Sequence, residues 1–119
     1  MAIQEAFTGV AVADLHSALA WYERLMRRQP DMIPNDNEVV WQLSGNAWLY
    51  VIGDAQRAGK TLITLIVDDL DGHVAEFNER GISFEFVEKD SKIYRRVAVI
   101  DPEGNTLQFT ELTNEDNQV

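Results

Sequence analysis

The sequence predicts an α+β fold made of two similar halves, each running strand, helix and then two or three strands. Short segments that alternate apolar and polar residues indicate the strands, and two helical patterns each follow an aspartate suited to helix capping. Parts of the first half also reappear in the second half. At 119 residues the chain has the length of one domain, so we expect a single domain over residues 1–119.

The first strand and the first helix are predicted at the beginning of the chain. Phe7–Val12 is short, partly β-branched and alternating, which indicates a strand. Asp14 follows at the position of a helix N-cap, where its carboxylate can accept a free backbone N–H. The apolar residues that then recur at helical spacing are Leu15, Ala18, Leu19, Tyr22, Leu25 and Met26. Pro30 and Pro34 end this pattern and predict a loop.

A strand pair is predicted in the rest of the first half. Glu38–Leu43 and Ala47–Ile52 both have strand patterns, and they flank the turn formed by Ser44–Asn46. Gly53–Lys60 is polar and flexible in composition, so we expect it to link the two halves.

The second half repeats the order of the first. Thr61–Val67 indicates a strand, and Asp68–Asp69 offers a second helix cap. The helical apolar positions are Leu70, Val74 and Phe77. Arg80–Gly81 predicts the helix end, because glycine permits a left-handed backbone. Three more strands are predicted at Ile82–Glu88, Tyr94–Ile100 and Asn105–Leu112. The polar tail from Thr113 is expected to fray.

The sequence Asp-Pro-Glu-Gly at residues 101–104 is a strong turn signal between two of these strands. Asp101 can bond the backbone at the first position, Pro102 presets φ at the second, and Gly104 is tolerated at the fourth. Such chemistry is typical of a hairpin, so we expect a structural role for this segment.

An internal repeat relates the two halves. VAVADL at residues 10–15 aligns with LIVDDL at residues 65–70, SGNAWLYV at 44–51 aligns with EGNTLQFT at 103–110, and Tyr22 aligns with Phe77. One half alone cannot bury both a helix and a sheet face well, so two packed copies are expected. Two such sheets would leave a cleft on the faces that the helices do not cover.

Composition narrows the possible partners and locations. The net charge is −10, and an acidic surface repels phosphate backbones, so we expect no nucleic acid partner. The charge would suit a cationic ligand, although solubility is the simpler explanation. The chain has no cysteine, which excludes disulfides and thiolate chemistry and fits a reducing compartment. No apolar run reaches the roughly 18 residues of a membrane helix, so we expect a soluble cytoplasmic protein without a membrane partner.

Three segments together resemble the vicinal oxygen chelate superfamily of glyoxalases, bleomycin-resistance proteins and extradiol dioxygenases. They are AVADLHSALAWYERL, LIVDDLDGHVAEFNERG and above all DPEGNTLQFTE. The resemblance covers nearly the whole chain. It implies two βαβββ modules, which we place at residues 5–53 and 61–112, forming an open mixed-sheet cleft. It also implies a homodimer, and some members build the cleft between chains.

Metal-using members of this superfamily place His or Glu ligands on the first and last strands of each module. The resemblance carries these ligands onto Phe7, Leu49, Leu62 and Gln108. Three of these side chains are hydrocarbon and one is a neutral amide, whereas a divalent ion needs charged or imidazole donors. A register slip of one residue gives Thr8, Tyr50 and Ile63, which are no better. We therefore expect no metal and no other cofactor.

Alternation along the strands predicts which side chains line the cleft. The predicted ligand-binding residues are Phe7, Trp41, Leu49, Leu62, Thr64, Tyr94, Arg96 and Gln108. The same alternation places Trp48 and Tyr50 against a helix. His16 and His73 lie beside polar positions, so both are expected to face solvent. The cleft is apolar with a few polar groups, which is typical of a small-molecule pocket, although these side chains or a dimer partner could also fill it.

These observations favour a metal-free protein that binds a small apolar or aromatic molecule. The alternative within the superfamily is a metal-dependent lyase, isomerase or dioxygenase, which would need the missing ligands. A metal-free enzyme using Tyr94, Arg96 or Glu85 has no supporting motif. A dimer-forming accessory domain with a filled cleft is the fourth hypothesis.

Overall fold

The structure, a computed structural model, describes residues 2–113. The polar tail that was expected to fray lies outside the described residues, except for Thr113. Strands and helices follow in the order β1 (Ala6–Val12), α1 (Leu15–Met26), β2 (Met32–Asn35), β3 (Glu38–Ser44), β4 (Ala47–Gly53), β5 (Leu62–Ile66), α2 (Leu70–Glu79), β6 (Phe84–Glu88), β7 (Tyr94–Ile100) and β8 (Thr106–Leu112). Neither helix of this part of the chain is long and apolar enough to cross a membrane.

Two mixed sheets of four strands each confirm the α+β class and the two βαβββ modules. The first sheet has the order β1-β4-β3-β2 and the second has the order β5-β8-β7-β6. In each sheet the first two strands of this order are parallel, and the other pairs are antiparallel. In each module a helix follows the opening strand, which pairs in parallel with the last strand. Parallel strands need such a crossover connection.

The chain divides into two compact units, and each unit is assembled from two separate stretches of sequence. The first unit contains the described residues up to Thr61 together with Asp101–Asn105, and the second contains Leu62–Ile100 and the described residues from Thr106. The loop between β7 and β8 is therefore part of the first unit.

The apolar face of helix α1 packs against the first sheet. Its N-cap is Asp14, whose carboxylate accepts a hydrogen bond from the Ser17 backbone N–H at 3.2 Å, as the sequence predicted. The helix ends at Arg27, which takes the left-handed conformation at φ 65. Its buried residues are Ala18, Trp21, Tyr22 and Leu25, and they face buried side chains of β1, β3 and β4, among them Val10, Trp41 and Leu49.

Strand β2 replaces part of the loop that the two prolines predicted, so that prediction is wrong. Met32 lies opposite Val40 and Asn35 lies opposite Glu38, with an irregularity in the register between them. Because β2 is at the edge of the sheet, Pro34 can occupy it without removing a hydrogen bond from a central ladder.

Helix α2 packs on the second sheet through aromatic contacts. The Phe77 ring lies 5.0 Å from Phe109 in an edge-to-face arrangement and 6.2 Å from Phe84. His73, which was expected to face solvent, is half-buried beside Phe109 at a centroid distance of 5.7 Å. That expectation is wrong because one turn of α2 brings residue 73 over the same strand as residue 77. His16 is exposed.

The Asp101–Asn105 loop makes most of its side-chain hydrogen bonds within the first unit. The Glu103 carboxylate accepts from the backbone N–H groups of Ala13 at 2.6 Å and Asp14 at 3.0 Å, at the start of α1. Asn105 is fully buried and donates from Nδ2 to the Ala11 carbonyl at 2.9 Å. Gly104 has φ 100, a conformation that side chains rarely adopt. The segment is structural, as its turn signal predicted, and it also caps a helix distant in sequence.

Candidate functional site

The face of the first sheet that α1 does not cover carries small and aromatic side chains. Strand β1 pairs with β4 so that Phe7 lies opposite Trp48, Gly9 opposite Tyr50 and Ala11 opposite Ile52. Opposite residues of paired strands project to the same face. These six residues define what we call the first open face.

An aromatic pair lies at one end of the first open face. The rings of Phe7 and Trp48 stack with centroids 5.4 Å apart and planes inclined by 5°. Phe7 is 50% exposed, and the Trp48 indole N–H donates to the Glu5 carboxylate at 2.7 Å. The indole is therefore held in place while the aromatic surface beside it remains accessible.

A pocket of about 240 Å³ lies further along the same face. It is lined by Gly9, Ala11, Tyr50, Ile52, Asp54, Arg57 and Thr61. The Tyr50 ring lies directly against Gly9, since a Cβ at this position would come within 2.4 Å of the ring carbon that carries the hydroxyl. The absent side chain of residue 9 thus permits the position of the ring.

An ion pair forms the rim of this pocket. Asp54 accepts from the Arg57 guanidinium at 2.6 Å and from the Gln56 backbone N–H at 3.1 Å. The hydrogen bond from the Arg57 side chain is the main cause that lowers the pKa of the Asp54 carboxyl below its ordinary value. The carboxylate is therefore charged at neutral pH, and the rim carries one positive and one negative group.

The uncovered face of the second sheet combines exposed hydrocarbon with a few polar groups. Leu62, Ile66 and Ile100 are 66%, 60% and 51% exposed, respectively. The register places Thr64 opposite Gln108, and Gln108 opposite Ala98 on the other neighbouring strand. We call the second open face the surface formed by Leu62, Thr64, Ile66, Tyr94, Arg96, Ala98, Ile100 and Gln108.

Hydrogen bonds orient the polar groups of the second open face. The Thr64 hydroxyl donates to the Gln108 side-chain oxygen at 3.2 Å. Arg96 donates from Nε to the Thr110 hydroxyl at 2.9 Å, and its guanidinium lies 4.7 Å from the centre of the Tyr94 ring. The amide and the guanidinium are thus held by neighbouring side chains before any ligand arrives.

Six of the eight sequence-predicted residues lie on these faces. Leu62, Thr64, Tyr94, Arg96 and Gln108 share the second open face, and Phe7 lies on the first. The structure therefore brings the five residues of the second half together, and whether any of the six binds a ligand stays a prediction.

Trp41 and Leu49 are on the opposite side from the one predicted. Both are fully buried on the α1 side, where the Trp41 ring lies 6.2 Å from Tyr22 and its indole N–H donates to the Arg28 carbonyl at 3.1 Å. Trp48 and Tyr50, expected against a helix, lie on the first open face instead.

A difference of one residue between the β1–β4 and β5–β8 pairings explains this error. Phe7 pairs with the second residue after Asn46, whereas its counterpart Leu62 pairs with the first residue after Asn105. Side chains alternate between the two faces of a sheet. A shift of one residue along a strand therefore moves every side chain assigned to one face onto the other. The difference lies in the pairing of the opening strand with the last strand of each module, which an alignment through the two asparagines does not show.

The side chains of the open faces do not fit a divalent metal ion. Of the four positions that the resemblance implies, Phe7, Leu62 and Gln108 lie on the open faces, whereas Leu49 is buried and Tyr50 takes its place. Gln108 offers a neutral amide whose oxygen already accepts from Thr64. Within residues 2–113, no group of three His, Cys, Asp or Glu side chains is arranged to hold a metal. A stable site needs several charged or imidazole donors, which these positions lack.

Comparison with known proteins establishes the family. The sequence profile described as the Glyoxalase/Bleomycin resistance protein/Dioxygenase superfamily matches residues 5–109. The chain belongs to this superfamily. No curated protein matches it.

Several solved protein structures share this fold, among them a glyoxalase/bleomycin-resistance protein. A protein of this description from Catenulispora acidiphila DSM 44928 is 37% identical, with a TM-score of 0.81 over 92% of this chain and 99% of that chain. TnmS3, an antibiotic-binding protein from Streptomyces sp. CB03234, is 20% identical, with a TM-score of 0.74 over 94% and 98%. A bleomycin-binding protein in complex with bleomycin is also 20% identical, with a TM-score of 0.74 over 92% and 98%.

Proposed function

We propose that this superfamily member is a metal-independent protein that binds a small apolar or aromatic molecule on its open sheet faces. The observation that carries the proposal is the chemistry of these faces. They present aromatic rings and hydrocarbon with a few oriented polar groups, the usual composition of a small-molecule site. Positions that would hold a metal in an enzyme of the superfamily carry Phe7, Leu62 and Gln108 instead.

The pocket over Gly9 supports a small ligand in particular. Its volume of about 240 Å³ lies below the roughly 300–1,000 Å³ typical of pockets for drug-sized molecules. A one-ring compound, or one ring of a larger compound, is of suitable size. Tyr50 and Ile52 would contact its apolar surface, and the Asp54–Arg57 rim would interact with polar substituents.

Two of the similar structures are described as binding proteins, which is consistent with this proposal. One is an antibiotic-binding protein and the other is a bleomycin-binding protein seen with bleomycin. At 20% identity they support a binding role without specifying the ligand of this chain. The resemblance also leads us to propose a homodimer, which native mass spectrometry would detect as twice the mass of the chain.

Calorimetric titration of the chelator-free protein with benzamide, phenol and indole tests the binding proposal, with elemental analysis of the same sample. We expect saturable binding without a stoichiometric metal. The Tyr50→Ser variant should weaken binding of compounds that use the pocket. Ile3→Ser is the matched control, because Ile3 is 83% exposed and lies outside both sheets.

Two results would contradict the proposal. The first is the absence of saturable binding in the folded protein. The second is one divalent ion per chain together with turnover that requires the ion, which would favour the metal-dependent lyase or dioxygenase.

A further inference from the structure

Arg96 differs from the other half-buried arginines of the described chain in its electrostatic partners. Three arginines in residues 2–113 are half-buried: Arg80, Arg95 and Arg96. Arg80 lies 3.6 Å from the Glu76 carboxylate, and Arg95 lies 3.0 Å from the Asp71 carboxylate. No carboxylate among the described residues pairs with Arg96.

The contacts of Arg96 orient its guanidinium and leave the two terminal nitrogens available to a ligand. Nε is engaged by the Thr110 hydroxyl, and the cation lies over the Tyr94 ring. Within the described residues, the two terminal nitrogens make no hydrogen bond. Neither of them is a buried polar atom that lacks a partner, so both are accessible to solvent. Two adjacent N–H groups of a guanidinium match the two oxygens of a carboxylate.

The acidic side chains that strand β6 brings beside this face do not neutralise the cation. Glu85 lies opposite Ala98 and Glu88 opposite Arg96, and neither forms an ion pair with Arg96. The Glu88 carboxylate instead accepts from the Asp90 backbone N–H at 3.1 Å, within the turn that follows β6. A partly desolvated cation without a counter-ion is unfavourable, and an anion supplied by a ligand would relieve that cost.

The surroundings of Arg96 specify the rest of such a ligand. Leu62, Ile66 and Ile100 expose hydrocarbon on the same face, and the oriented amide of Gln108 lies there as well. A ligand with an apolar body and an anionic end would contact both kinds of surface. A single charge is favoured over a phosphate dianion, because the chain carries a net charge of −10 and this face offers one guanidinium.

We propose that the second open face binds a small monocarboxylate with an apolar or aromatic body, and that Arg96 determines its specificity. This inference rests on the proposed function, because it names the chemical class of ligand held on one of the open faces. The carboxylate would bind the two terminal guanidinium nitrogens, and the apolar body would lie along the exposed hydrocarbon. The long-range repulsion from the acidic chain is screened beyond about 8 Å at physiological salt, so the direct contact decides the selectivity.

Calorimetric titration with benzoate and its neutral isostere benzamide tests the specificity. Hydrogen bonds to charged groups lead us to expect benzoate to bind the wild-type protein roughly tenfold to a hundredfold more tightly. Arg96→Gln should remove this preference and leave benzamide affinity within about twofold. Arg96→Lys keeps the charge but loses the paired N–H groups, so it should retain part of the preference.

The matched control is Arg24→Gln, which makes the same change in net charge. Arg24 is exposed in the last turn of α1 and is not one of the residues of either open face, so the preference for benzoate should survive. NMR shifts of the backbone amides locate the bound benzoate, and the largest changes are expected near Arg96, Thr64 and Gln108. Circular dichroism shows whether each variant is folded, and Arg96→Lys replaces Arg96→Gln if the latter is not.

Three outcomes would overturn the proposal in distinguishable ways. Equal affinity for benzoate and benzamide, or an equal loss of preference in Arg24→Gln, would reject the carboxylate site and leave the proposed binding function standing. A preference for benzoate whose NMR changes lie on the first open face would reject Arg96 as its cause. The absence of saturable binding by benzoate, benzamide, phenol and indole would reject both this inference and the proposed function.

Discussion

The Tyr22 hydroxyl donates a hydrogen bond of 2.8 Å to the Asp101 carboxylate in the interior of the first unit. Tyr22 is fully buried and Asp101 is 3% exposed. Burial, followed by the negative charge of Asp101, raises the pKa of the Tyr22 phenol. Tyr22 therefore remains a donor throughout the physiological pH range. The aligned residue of the second half is Phe77, so the hydroxyl distinguishes the two repeats at this position.

Replacing Tyr22 with phenylalanine should destabilise the protein. Asp101 would keep its bonds from the Glu103 and Asn105 backbone N–H groups and from the Asn105 side-chain amide, but lose the phenol that helps to compensate for its burial. Leaving a buried carboxylate one donor short costs about 1–3 kcal/mol in the free energy of unfolding, measured by urea denaturation. Tyr94→Phe is the control, because Tyr94 is only half-buried and its hydroxyl makes no hydrogen bond within the described residues. Equal changes in the two variants would contradict the importance of the Asp101 contact.

Removing the Glu103 carboxylate should weaken the start of α1. Its two oxygens accept from the backbone N–H groups of Ala13 and Asp14, next to the positive end of the helix dipole. Glu103→Ala should lower the free energy of unfolding by about 1 kcal/mol, as loss of a helix cap does, and Glu103→Gln should cost less because one acceptor remains. Urea denaturation of both variants measures this order. Glu85→Gln on the exposed surface of β6 should have little effect, and an equal loss there would argue against a local cause.

Local sequence signals were sufficient for the order of the elements other than β2 and for most of the second open face. Asp14 and Asp69 cap the two helices as predicted, and the repeat correctly predicted that each half begins with a strand and a helix, while the resemblance supplied the full βαβββ order. Leu62 and Gln108 are on the predicted face because alternation continues without interruption in β5 and β8. These features depend on residues close together in sequence, where capping and periodicity act.

Features that depend on contacts distant in sequence could not be predicted in this way. Tyr50 was assigned to the wrong face because β4 pairs with β1 one residue out of step with the repeat, and strand pairing alone sets that register. Pro34 was assigned to a loop because its place at a sheet edge is a tertiary property. Glu103 was identified as a turn residue, yet nothing local indicates that it also caps α1.

Asp14 should contribute a pH-dependent term to stability. Its side-chain hydrogen bond with Ser17 is the main cause that holds the pKa of the Asp14 carboxyl below its ordinary value of 3.8. Because the pKa is lower in the folded state, this contribution is fully present above the unfolded value and is lost as the pH falls through the folded value. Asp14→Asn keeps a good capping residue without a titrating group, so the variant should lose less stability than wild type below about pH 4. The urea concentration at the midpoint of unfolding, measured for both proteins between about pH 2 and pH 7, tests this. A midpoint that changes equally with pH in the two proteins would contradict it.

Adding a methyl group at Gly9 should disturb the pocket on the first open face more than it disturbs the fold. The new Cβ would lie 2.4 Å from the Tyr50 ring, so the ring must move away from β1. Overpacking of this kind costs about 1–3 kcal/mol, and moving Tyr50 removes one wall of the pocket of about 240 Å³. We therefore expect Gly9→Ala to weaken binding of a pocket ligand such as phenol several-fold while the chain still folds.

Gly45→Ala provides the matched control for this change. Gly45 lies in the β3–β4 turn, has no positive φ, and nothing lies within 4 Å of an added Cβ. The same Gly→Ala substitution there should leave phenol affinity unchanged, as measured by calorimetry. If Gly9→Ala binds phenol as tightly as Gly45→Ala, the ligand does not depend on the position of Tyr50. Binding would then have to be assigned to a surface other than the Gly9–Tyr50 pocket.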